Sequence, residues 1–177
     1  MRRARGSWSA VLAVCVASGC APAGGYSGGP PPGQATPSNR RFVNPGTLAA
    51  LDGFTHAVRI GFTTYVSGEV PLDSTGQLVG RGDLAAQAKQ AFANLSLVLR
   101  IAGNEPSDLV KLTVYVVDLH PDDWATIRAA APEFFPSRDA PTGVVVGVAA
   151  LPRDGMRIAV DAVAQAPALF RPRVEQR

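Results

Sequence analysis

Apolar residues in the middle of this chain recur at helical spacing. Leu84, Ala88, Ala91, Phe92, Leu95, Val98 and Leu99 fall on one face of a 3.6-residue repeat. Asp83 stands where an N-cap is wanted and Gly103 where a left-handed closing residue is wanted. The pattern predicts a helix from Asp83 to about residue 102. Elsewhere the period shortens to two. Residues 57–61 and 64–68 read as short strands with a turn between them, and 73–76 as a turn followed by a brief strand at 77–79. Residues 109–117, rich in β-branched side chains, read as a central strand. Pro121 can open a second helix, with Trp124 and Ile127 turned inward and Pro132 ending or kinking it. Residues 143–149 and 156–164 read as two further strands, the first of them buried. The expected order is β-β-(β)-α-β-α-β-β, with order beginning near Gly46. No repeat and no glycine-rich phosphate loop interrupts it.

The N-terminal segment follows neither period. Arg2, Arg3 and Arg5 precede a ten-residue apolar run from Trp8 to Ala17. A spanning helix needs ~20 such residues, so this is the layout of an export signal. The small residues Ala17, Ser18 and Gly19 lead into Cys20, an ending that resembles the lipobox of bacterial lipoproteins. That resemblance implies lipidation of Cys20 and anchorage to a bacterial membrane, facing the periplasm or the cell exterior. An ordinary cleaved signal fits the same basic start. Residues 21–45, dense in glycine, proline and serine, cannot bury enough apolar surface to offset their ordering entropy. The expected division is a signal at 1–20, a tether at 21–45, a folded domain at 46–165 and a tail at 166–177.

A chain of 177 residues with 46% apolar and 18% charged positions can build one domain with a real core. The net charge of +3 gathers at the two ends, which argues against a nucleic-acid partner. The two cysteines are Cys15 and Cys20, both in the N-terminal segment, and the histidines are His56 and His120. No metal-binding spacing is present, and no cofactor is expected.

Residues 65–71, 87–95, 108–118 and 146–152, in that order and spacing, resemble the RidA (YjgF/YER057c) family of imine and enamine deaminases. Residues 157–164 close the match. The resemblance implies an α+β, chorismate-mutase-like fold: one mixed sheet backed by two helices, in a homotrimer with an inner barrel and three intersubunit clefts. Hydrolysis of a 2-imino acid needs a carboxylate clamp, a positioned water and donors for developing charge. Active family members use an arginine for the clamp.

Carried over residue by residue, Ser67 and Gly68 match the family's Ser-Gly pair, and Asp161 falls at a glutamate that orients water. The clamp arginine falls on Gly143, a pocket tyrosine on Phe54 and a helix asparagine on Arg128. Three of these positions depart from the deaminase pattern. Arg128 or Arg138 could return the lost charge, and an arginine placed at position 143 is expected to raise activity. Each residue also has a plainer reading. In that reading Ser67 and Gly68 turn a strand end, Asp161 is an interface carboxylate, and Arg128 is solvated on its helix surface. His56 reads as an exposed strand-end residue and Glu69 as structural.

Two functions follow. In one, the cleft binds a small metabolite after the deaminase activity has weakened or been lost. In the other, the chain is an active deaminase in which Asp161 orients water and Ser67 holds substrate, giving a 2-oxo acid and ammonia.

Overall fold

The computed structural model describes residues 39–166. Their strands are β1 (Arg40–Val43), β2 (Ala57–Ile60), β3 (Thr63–Glu69), β4 (Leu109–Val117), β5 (Thr142–Val148) and β6 (Ile158–Gln165). They form one sheet in the order β1-β2-β3-β6-β4-β5. All neighbours are antiparallel except β4 and β5, which run parallel. A parallel pair needs a crossover, and α2 (Asp123–Ala130) supplies it.

The other helix, α1 (Leu84–Ala102), starts and stops as its sequence dictates. Asp83 accepts a hydrogen bond from the Ala86 N–H, and Gly103 closes the helix at φ 84°. The whole apolar face named above is buried. It packs on the sheet side that presents Val66, Leu112, Val114, Val116, Ile158 and Val160. Phe92 lies 4.9 Å from Phe134 and 5.5 Å from Phe135, ring centre to ring centre, which ties α1 to the segment after α2.

Two buried amides share the α1 face with the hydrocarbons. Gln87 donates to the carbonyls of Gly80 and Gly155 and accepts from the Arg157 N–H at 2.7 Å. Asn94, two turns on, donates to the carbonyls of Val70 and Leu72 at 2.9 Å. The loop from β3 to α1 and the loop from β5 to β6 are thus fixed by side-chain donors. They carry Val70, Leu72 and Met156, which form a second apolar cluster with Ala159 of β6, and Tyr115 packs against it.

Four expectations change. β1 lies within the stretch read as tether: Val43 pairs with Ala57 and is buried, so order extends back to Arg40. The brief strand at 77–79 reduces to one bridge between Leu72 and Leu78. α2 starts at Asp123 rather than Pro121; Ile127 is fully buried, but Trp124 stays 36% exposed at a cavity rim. β5 is an edge strand, and its residues are exposed or half-buried rather than buried. Its central valines reflect β propensity more than burial within this chain. Pro132 behaves as expected: α2 ends at Ala130 and Pro132 opens a 3-10 turn. Residues 1–38 and 167–177, which include Cys20 and most of the expected tail, lie outside the described residues.

Gln87→Leu keeps the side-chain bulk but orphans the Gly155 carbonyl and the Arg157 N–H, while the Gly80 carbonyl keeps the Asp83 N–H. Unsatisfied buried groups cost about 1–3 kcal/mol each, with losses that overlap for neighbours. The variant should lose roughly 2–4 kcal/mol. Urea denaturation followed by circular dichroism checks it; an unchanged midpoint would show the network to be idle.

Candidate functional site

The crossover from β4 through α2 to β5 leaves a cavity of about 320 Å³ between helix and sheet. Leu112, Val114 and Phe135 make its floor apolar, and Trp124, Arg128 and Gly143 stand in its wall. Arg128 is the one charged residue in that lining. Its guanidinium sits 6.0 Å from the Trp124 ring centre, and Trp124 meets Phe135 edge-on at 5.0 Å. The aromatic pair can hold the cation at the rim through its ring face. α2 is steadied in turn by Arg157, which reaches Asp123 at 3.3 Å.

Gly143 lines the same cavity, and it has no room to be anything else. A Cβ there would stand 2.5 Å from the Leu112 carbonyl oxygen on β4. The expectation that an arginine at this position restores the clamp is therefore revised. Close backbone approach is a standard reason for glycine in a strand, and here it leaves no space for a clamp side chain. Arg128 and Arg138 are both exposed, but only Arg128 lines the cavity.

Phe54, His56, Ser67, Gly68 and Glu69 converge on a second, much smaller cavity of about 10 Å³. Its wall is a β-bulge. Val66 pairs with Ala162 and Glu69 with Val160, so three steps on β3 oppose two on β6. Ser67 and Gly68 occupy the extra step, which re-aims side chains as bulges do. They are neither a turn nor a strand end.

His56 is buried, against the expectation of an exposed strand-end residue. Asn44, just beyond β1, accepts from the His56 N–H at 3.0 Å, and Ser67 N–H donates to the His56 carbonyl at 2.8 Å. The ring Nδ1 lies 3.0 and 3.1 Å from the two carboxylate oxygens of Glu69. The Glu69 hydrogen bond holds the His56 imidazolium above its ordinary value, despite burial. Burial pushes the Glu69 carboxyl up, against the pull of His56. Sequence patterning missed this pair. The usable signal was a histidine and a glutamate flanking two strands that pair Ala57 with Val66.

Asp161 lies elsewhere. It is half-buried, lines neither cavity, and accepts a 2.9 Å hydrogen bond from the Tyr115 hydroxyl. That bond raises the Tyr115 pKa. Asp161 alternates with Val160 and Ala162, which face the helices, so it occupies the opposite sheet face. Within one chain the sequence-derived residues thus fall in three places: Arg128 with Gly143; Phe54 with Ser67 and Gly68; and Asp161 alone. Among the described residues, no three His, Cys, Asp or Glu side chains are grouped to hold a metal.

Comparison with known proteins agrees with this architecture. The Endoribonuclease L-PSP family matches residues 45–166. The chain is 38% identical over 117 residues to the 2-iminobutanoate/2-iminopropanoate deaminase of Mus musculus, covering 66% of this chain and 83% of that one. It is 36% identical over 119 residues to the enzyme of the same name from Escherichia coli K12, covering 66% and 89%. Among solved structures, RidA from the Antarctic bacterium Psychrobacter sp. PAMC 21119 superposes with a TM-score of 0.62 at 30% identity, covering 71% of this chain and 98% of that one. The YjgF product of E. coli superposes with a TM-score of 0.61 at 32% identity, covering 71% and 98%. A mixed six-stranded sheet with its two helices, the bulged Ser-Gly pair and these relatives agree: the chain belongs to the RidA family.

Proposed function

We propose that this chain is an exported, lipid-anchored RidA-family protein that binds a small carboxylate-bearing metabolite in clefts between subunits of a homotrimer, with weak or lost imine deaminase activity. The observation that carries the reading is the relocated charge in the larger cavity. Position 143 holds a glycine pressed against the Leu112 carbonyl, while Arg128 brings a guanidinium to the same wall from α2. A guanidinium grips a carboxylate with paired, charge-assisted hydrogen bonds. Apolar surface below it suits a short aliphatic chain.

The separation of the cavities supports an intersubunit site. Neither cavity gathers all the candidate residues, so a cleft that uses both needs a second copy. The sheet face away from the helices supports self-association too. Phe42 is 64% exposed, Tyr65 50% and Val144 51%. Phe42 and Tyr65 stand in one row through Val58, an apolar stripe suited to burial by another sheet.

A second reading keeps the activity. The Mus musculus and E. coli relatives are named as 2-iminobutanoate/2-iminopropanoate deaminases. Under it, Arg128 clamps the imino acid, Ser67 holds it and Asp161 orients water.

Isothermal titration with 2-oxobutanoate, the oxo acid that 2-iminobutanoate hydrolysis yields, tests the binding reading. Arg128→Ala should weaken binding ~10-fold or more, since a charged hydrogen bond contributes about 1.5–3 kcal/mol. Arg138→Ala should leave it unchanged, and equal effects of the two would overturn the assignment. In a coupled assay that generates 2-iminobutanoate in place, the parent should scarcely exceed free-imine decay. Fast hydrolysis abolished by Asp161→Ala would favour the second reading instead.

Gly143→Arg should fail to raise hydrolysis and should cost about 1–3 kcal/mol of stability through backbone overlap; a gain in rate at unchanged stability would contradict this. Light scattering of the solubilised protein should give three times the monomer mass, and a monomer would end the cleft model. Cys20→Ser should move the protein out of the membrane fraction and abolish fatty-acid labelling; identical partitioning with no label in the parent would refute the anchor.

A further inference from the structure

His56 Nε2 is the one buried side-chain nitrogen or oxygen without a hydrogen-bond partner among the described residues. A buried polar atom left unpaired is costly, and such an atom calls for an explanation. Several features here point to a ligand. His56 lines the smaller cavity, beside Ser67 and Gly68. Its other ring nitrogen is occupied by both oxygens of Glu69, so the ring is fixed and Nε2 is the free end. The cavity, at about 10 Å³, admits one water-sized atom, which is the tip of a molecule rather than its body.

We propose that His56 is a ligand-binding donor of this cleft: with Nδ1 held by Glu69, Nε2–H donates to the keto oxygen of a small 2-oxo acid lodged against the Ser67–Gly68 bulge. The inference rests on the reading above that the protein takes a small acid, and it assigns the opposite end of that acid. The carboxylate belongs to Arg128 of one subunit and the oxo end to His56 of another. No proton leaves the pair in this binding step; Nε2–H is shared, not transferred.

The protonation logic fixes the pH dependence. With Glu69 ionised, the neutral ring keeps its proton on Nδ1 and presents a bare Nε2, an acceptor that repels a carbonyl oxygen. The ring with a second proton presents Nε2–H, a donor. Glu69 raises the pH up to which that donor persists. The Leu48 carbonyl favours the charged ring as well, without forming a hydrogen bond to Nε2. No other titratable residue lines the cavity; Asp52, in the adjoining turn, is exposed. Binding should therefore be strong below the raised His56 pKa and fall about tenfold per pH unit above it.

The chain has two histidines, so imidazole nitrogen NMR of the full protein gives two ring patterns, with the exposed His120 as internal control. The probe is 2-oxobutanoate, titrated from pH 5 to 9 with arginine guanidinium resonances followed in parallel. The expected result is a displaced His56 Nε2 resonance that stays protonated to higher pH, with His120 still. Glu69→Gln, which keeps the shape and removes the charge, should lower the pH midpoint of binding by about one unit or more; a merely structural Glu69 would leave that midpoint in place. If the probe moves the Arg128 guanidinium and leaves both His56 ring nitrogens unmoved at every pH, the His56 assignment is wrong and the small-acid reading survives. If it moves neither residue, both are wrong.

Discussion

The helices of this protein cover one side of its sheet, and most of what is distinctive follows from that asymmetry. α1 and α2 bury the even-numbered side chains of β4 and β6. The other face is closed in part by the loops carrying Leu72 and Met156, and it is open where Phe42, Tyr65 and Val144 stand. A sheet of six strands cannot leave an apolar face in water without cost. The same asymmetry divides the chemistry. Arg128 and Gly143 belong to the helix side, whereas Asp161 belongs to the open side with Tyr115.

The elements that were legible in the sequence are those whose signals are local. α1 has an N-cap aspartate, a seven-residue apolar stripe and a terminal glycine, and each acts within a few residues of itself. β4 was legible because five of its nine residues are β-branched. β1 was not. Arg40, Arg41 and Phe42 follow a glycine- and proline-rich stretch, and what makes them a strand is the distant ladder to residues 57–60, together with Arg41 donating to the Ile101 carbonyl. β5 misled in the opposite way, because an apolar strand at a sheet edge has the composition of a central one.

The candidate site was half legible. Family resemblance marked positions 54, 67, 68, 128, 143 and 161, but it carried no distances. Backbone proximity at Gly143 is invisible in a sequence, since it depends on how near β4 passes. The bulge at Ser67 and Gly68 is equally hidden, being a mismatch of count between β3 and β6. His56 and Glu69 are thirteen residues apart and carry no motif; they meet because β2 and β3 form a hairpin. The two buried amides of α1, Gln87 and Asn94, escaped for a related reason. Polar residues on an apolar stripe look like interruptions until the carbonyls they serve are seen.

The chain enters the sheet through β1, at its outer edge, and 38 residues precede the described fold. Any mechanical load arriving from that side must cross β1 before it reaches anything else. The ladder that meets it is four residue pairs long, whereas the centre of the sheet is stitched by β4 and β6 along nearly their whole length. Under tension the hem should give first: Val43 would leave the core and Asn44 would let go of His56, while α1 and the central strands keep their shape. Pulling on the N-terminus would thus loosen the wall of the smaller cavity before it unfolded the protein, which would make the grip of that wall sensitive to force.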